Sequence, residues 1–164
     1  MFGLFKKKKP EPRRYDVTQA EFDVTALTAN LIQTQTDFYL FRKEQRGRKK
    51  HSPLLFSEYI TPWIIGYCVG MLDAISQTKA NHMVYTSEMQ QLLFSVVFGE
   101  DNVINAFSMY ITCNEIEPDS PFGAMNEEYF LGLNKSFNEV CEDKTVIGLY
   151  THLISANSLD IKLN

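Results

Sequence analysis

Hydrophobic residues recur at spacings of three and four along most of the chain, the signature of helices with one apolar face. The strongest run begins at Ser52-Pro53, an N-cap residue followed by proline at the first helical position, and continues to about Thr78. Leu55, Tyr59, Ile60, Trp63, Ile64, Tyr67, Cys68, Met71, Leu72 and Ile75 cover so wide a surface that this helix is expected at the centre of the core. Pro62 within it predicts a kink or a restart, because proline removes one backbone hydrogen bond and clashes one turn back.

The same pattern predicts a helix before this one and up to four after it. Asp16 reads as the cap of a first helix reaching Arg46, with an apolar face of Ala20, Val24, Leu27, Leu31, Phe38 and Phe41 that Thr34 and Gln35 interrupt. Gly47 reads as its stop. Ser87 with Gln90 predicts a capping box for a third helix ending near Gly99, its inner face Leu92, Leu93, Val96 and Val97. Asp101 reads as the cap of a fourth, carrying Ile104, Phe107, Ser108 and Ile111 inward. Ser120-Pro121 opens a fifth, to about Glu142, through Phe122, Met125, Tyr129, Phe130, Leu133, Phe137 and Val140. Asp143 or Thr145 reads as the cap of a last helix through Ile147, Tyr150, Leu153 and Ile154. No stretch alternates apolar and polar cleanly, so strands are not expected. The expected fold is all-α: a single-domain bundle of five or six helices over residues 15–158. A flexible basic tail, 1–14, precedes it, and a frayed end, 159–164, follows.

Size and composition agree with one packed domain. The chain has 164 residues, 45% hydrophobic and 22% charged, which excludes disordered and low-complexity classes. Three cysteines, Cys68, Cys113 and Cys141, are too few for a disulfide scaffold and read as free, buried thiols. The apolar run from Ile60 to Ile75 falls short of the roughly 20 residues that span a bilayer. The start has its apolar residues before its charges, the reverse of a signal peptide. The expected location is cytoplasmic, peripheral to the inner membrane face if the tail binds it.

Charge changes the picture more. Residues 1–50 hold twelve Lys and Arg against six acids; residues 51–164 hold four against fourteen. Such asymmetry implies a basic arm that seeks an anionic surface or folds onto its own acidic body. In the tail, Phe2, Leu4 and Phe5 precede Lys6, Lys7, Lys8 and Lys9, a pattern suited to weak, salt-sensitive contact with an anionic membrane. Arg46, Arg48, Lys49 and Lys50 form a second basic cluster fit for an anion, and nucleic acid is the alternative partner there. The acidic body and the lack of interleaved aromatics make that partner the weaker reading. Glu115, Glu117, Asp119, Glu127 and Glu128 form an acidic stretch suited to steering a basic protein partner.

Chemistry-bearing motifs are lacking. His51, His82 and His152 have no second ligand at close spacing, and there is no Cys-x-x-Cys, so no metal or cofactor is expected. No nucleophile elbow or phosphate-binding glycine loop occurs. Gly66-x-x-x-Gly70 predicts close helix packing inside the bundle, with a homodimer seam as the alternative. The leading expectation is a non-catalytic interaction protein: an adaptor, regulator or inhibitor. A third alternative is an enzyme or small-ligand binder with a pocket lined by Trp63, Tyr67, Phe107 and Tyr129.

Overall fold

The structure is a computed structural model that describes residues 15–44 and 52–160. Phe2, Leu4, Phe5, Lys6, Lys7, Lys8 and Lys9 lie outside the described residues, as do Arg46, Arg48, Lys49 and Lys50. Among the described residues there are six α-helices and no strand: α1 (Gln19–Glu44), α2 (Pro62–Lys79), α3 (Ser87–Phe98), α4 (Val103–Glu115), α5 (Gly123–Cys141) and α6 (Gly148–Asp160). All six contribute to one buried cluster.

α2 is the axis of the bundle, as its wide apolar surface predicts. Every residue from Ile64 to Leu72 is buried. Pro62 marks a restart. Residues 53–55 and 57–59 form two separate 3₁₀ turns, and α2 begins afresh at Pro62, with the Thr61 side chain accepting from the Ile64 N–H at 3.4 Å.

α2 lies against α5 with backbone touching backbone. Gly66 and Gly70 face the carbonyls of Tyr129 and Leu133, and Gly132 faces the Trp63 carbonyl, so a Cβ at any of the three would collide with main chain. The Gly66-x-x-x-Gly70 spacing is therefore matched by Gly132-x-x-x-Ser136 on α5. Small residues on both helices permit this approach, and the seam is filled from within the chain.

Several helix starts differ from their expected positions by one to three residues, and at α1 and α3 a different polar side chain makes the cap. At α1 it is Thr18, in a reciprocal box with Glu21. The Thr18 N–H donates to the Glu21 carboxylate at 2.7 Å, and the Thr18 hydroxyl accepts from the Glu21 N–H at 3.3 Å. At α3 it is Thr86, accepting from Met89 N–H at 3.3 Å, where Ser87 was expected. Asp101 falls in a 3₁₀ turn, Glu100–Asn102, that leads into α4. Ser120 closes a short turn before α5 by accepting from the Phe122 N–H at 3.3 Å. Gly99 ends α3 with φ 82°, a conformation that favours glycine.

Two faces differ from the pattern-based expectation. On α1 the buried residues include Val24, Thr25, Thr28, Ala29, Ile32, Gln35, Thr36 and Tyr39, whereas Leu27, Phe38 and Phe41 are exposed. The buried stripe is rotated by roughly 100° from the expected one at 100° per residue. On α4 the buried residues are Val103, Ala106 and Cys113, and the expected inner residues Ile104, Ser108 and Ile111 point outward. Val96 on α3 is exposed as well. Cys68 and Cys113 are buried as expected, but Cys141 is exposed.

Candidate functional site

The site grows from the first turn of α6. The opening N–H groups of a helix have no partner within it and need acceptors. Here two distant helices supply them. Gln35 on α1 places its side-chain oxygen 2.9 Å from the Leu149 N–H and 3.3 Å from the Tyr150 N–H. Glu139 on α5 accepts from the Gly148 N–H at 3.2 Å. The same carboxylate oxygen accepts from the Tyr67 hydroxyl at 2.7 Å, and its other oxygen lies 3.2 Å from Lys135 Nζ. Gln35 and Glu139 are both buried. Burial, with the Glu139 carboxylate beside it, pushes the Tyr67 phenol far above its ordinary value, so Tyr67 remains a proton donor. This node ties α1, α2, α5 and α6 together.

Directly beside the node, an open cleft of about 620 Å³ separates the C-terminal half of α1 from residues 145–150. Gln35 forms part of its floor, and Phe38, Phe41, Val146 and Ile147 supply apolar walls. Phe38 and Phe41 are each 63% exposed, far above the usual exposure of phenylalanine. Arg42 stands on the rim, its guanidinium donating to the Tyr150 hydroxyl at 3.4 Å. A volume of this size falls in the range of ordinary binding clefts, about 300–1,000 Å³.

A second cleft, of about 360 Å³, runs beside α4 and includes Ile60, Ser108, Met109, Thr112 and Met125. Elsewhere on the exposed side of α4, Ile104 is 61% and Ile111 39% exposed. The expected acidic residues gather near one end of it. Glu115 closes α4, and Glu117 and Asp119 lie in the turn that follows. That turn folds back until the Pro118 carbonyl meets Gly123 at the start of α5. Glu127 and Glu128 follow on α5; all five acids are exposed.

Trp63, Tyr67, Phe107 and Tyr129 line neither cleft. Tyr67 and Tyr129 are packed solid in the core. Trp63 instead stacks on His152, ring centroids 3.9 Å apart and planes within 2°. Burial lowers the His152 pKa below its ordinary value. The unfolded chain therefore binds this proton more readily than the folded one. The His152 contribution to stability is full above about pH 6.5 and is lost as pH drops below it. A pH series of denaturation midpoints should show that slope, and His152→Phe should flatten it. An unchanged slope in the variant would remove His152 as its cause.

Two features that carry the cleft escape the periodicity reading. Gln35 was visible there only as an interruption in an apolar face, and Glu139 carried no signal at all. Among the described residues, no helix is long and apolar enough to cross a membrane. No family model, curated protein or solved structure matches the chain.

Proposed function

We propose that this chain is a non-catalytic helical interaction protein, an adaptor or regulator, whose partner surface is the cleft between α1 and α6. The observation that carries this reading is the exposure of Phe38 and Phe41 over an open, largely apolar cavity. Phenylalanine, valine and isoleucine with one cation on the rim suit burial of a guest rather than bond-making. The occupant we propose is an amphipathic helical segment of another protein, apolar toward Phe38 and Phe41 and acidic along one edge. Arg42 supports that sign of charge, and so does the sequence. Residues 45–51, which continue from the end of α1, hold Arg46, Arg48, Lys49 and Lys50 and no acid. On this reading the basic cluster serves protein recognition rather than nucleic acid. The pattern of residues 2–9 supports a further, transient attachment to an anionic membrane surface.

Site-specific photocrosslinking in cells tests the cleft. A photoreactive phenylalanine analogue at position 38 or 41 should yield discrete covalent adducts. The same analogue at Val84, which is 83% exposed and distant in sequence from the cleft, should not. The adducts should fall several-fold with Ile147→Glu, which puts a carboxylate on the apolar wall, and in lysates of raised ionic strength. Equal yields from all three positions, or yields indifferent to Ile147→Glu, would refute the cleft as the partner surface.

A further inference from the structure

The exposed face of α4 carries Ile104 and Ile111 among the polar residues Asn105, Ser108 and Thr112, with acids at both ends. Ile104 and Ile111 lie one above the other along it, and Met109 and Met125 line the cleft at their side. Glu100 and Asp101 precede α4, Glu115 closes it, and Glu117 and Asp119 follow. Between residues 52 and 128 the sequence holds ten acids and one base, Lys79. This surface calls for a ligand of opposite pattern: apolar side chains next to a run of cations.

The start of the chain has this pattern, and it enters the fold at the right place. Residues 2–9 read Phe-Gly-Leu-Phe-Lys-Lys-Lys-Lys, and Arg13 and Arg14 follow before Tyr15. Tyr15 is the first described residue, and its hydroxyl donates to the Glu100 carboxylate at 3.5 Å. The arm therefore leaves the bundle at the acidic turn where α4 begins. α4 is about 20 Å long at 1.5 Å per residue. The six to nine residues between Tyr15 and Lys9–Lys6 reach about 20–30 Å when extended, enough to follow α4 to the acids at its far end. The cleft between α1 and α6 does not compete, because Arg42 on its rim repels the lysines.

We infer that residues 2–9 dock on this face of their own chain, with Phe2, Leu4 and Phe5 against the α4 cleft and Lys6–Lys9 among the acids at its end. The contact is electrostatic and reversible, and it withholds the arm from other anionic surfaces. Neither the acidic corner nor the basic arm is then free for an outside partner until the two separate.

Paramagnetic broadening in the full chain tests this. A nitroxide is attached at Gly3→Cys in a Cys141→Ser background, since Cys68 and Cys113 are buried. Amide signals of residues 104–112 and 125 should lose most of their intensity at low salt. Intensity should return in roughly half-molar salt, where screening acts within a few ångströms. It should also return with Glu115→Lys, Glu117→Lys and Asp119→Lys combined, all exposed positions whose change leaves the core intact. Broadening centred on any other surface overturns the inference. So does equal broadening when a labelled chain is mixed with an unlabelled, isotope-enriched one, which would assign the arm to a second copy. Absence of broadening overturns it too. Flotation of the full chain on anionic vesicles, lost when Lys6–Lys9 are all changed to Gln, would then assign the arm to a membrane.

Discussion

Gly132→Ala should destabilise the protein by about 3 kcal/mol, the upper end of the cost of overpacking a tight core. For a chain of this size that lowers Tm by roughly 10 °C. The sign is what makes the result informative. In a solvent-facing helix interior, glycine to alanine stabilises by about 1 kcal/mol, because alanine loses less backbone entropy on folding. Here the added Cβ meets the Trp63 carbonyl oxygen and the Tyr67 backbone nitrogen. Neither is the far end of a flexible side chain, so relief requires α2 and α5 to move apart along their shared seam. That movement would open gaps around Tyr67, Tyr129 and Leu133, and dispersion contacts fall off steeply with distance. Asn134→Ala, exposed two residues further on the same helix, is the control. It should leave Tm unchanged or raise it slightly. A raised Tm for Gly132→Ala, measured by calorimetry beside that control, would show that backbone contact does not hold α2 against α5.

The glycine seam was legible before the structure, and so was the centrality of α2, because both rest on residue types with one physical meaning. A helix apolar on all sides has nowhere to go but inside. Two glycines one turn apart exclude side chains from a stripe. The phase of α1 was not legible, and the reason is chemical. Thr25 and Thr28 donate their hydroxyls to the Glu21 and Val24 carbonyls one turn back, each at 2.8 Å. Their polarity is spent within the helix, and what faces the core is largely methyl. Threonine thus reads as polar in a pattern and acts as apolar in the bundle. The displaced phenylalanines, Phe38 and Phe41, then read as core although they wall the cleft. α4 repeats the error: Val103 and Ala106 go inward, and Ile104 and Ile111 remain outside. Periodicity identifies an apolar stripe but does not say whether the chain itself covers it. A stripe left uncovered is where a binding surface is found. The acidic corner was legible as charge, since Glu115, Glu117 and Asp119 are close in sequence. The node of Gln35, Tyr67 and Glu139 was not, because its members come from three helices and meet only after packing.

That node should control α6 and, through it, the cleft. Gln35→Leu keeps a side chain of similar bulk but removes the acceptor for the Leu149 and Tyr150 N–H groups. Leu149 is buried, so its N–H has no water to turn to. A buried donor left without a partner costs about 1–3 kcal/mol. With the second, partly buried N–H added, the expected loss is about 3 kcal/mol. Tyr67→Phe should cost less, about 2 kcal/mol. Glu139 then loses one donor but keeps the Gly148 N–H and Lys135. The two losses should not add in the double variant, because Gln35 and Glu139 hold the same helical turn. Hydrogen exchange separates this account from general destabilisation. If Gln35 acts as the cap of α6, amides of residues 148–154 should lose protection in Gln35→Leu well beyond the global change, while those of α2 and α5 follow the global change alone. Val146, Ile147 and Tyr150 form one wall of the cleft, so a loosened α6 start moves that wall away from Phe38 and Phe41. Photocrosslinking from position 38 should then fall in Gln35→Leu even at temperatures where the protein remains folded. Uniform loss of protection across all six helices would make Gln35 an ordinary core residue and separate the node from the cleft. A loss confined to α6, with crosslinking lost alongside it, would make this buried amide the point at which the packing of the bundle sets the shape of its binding surface.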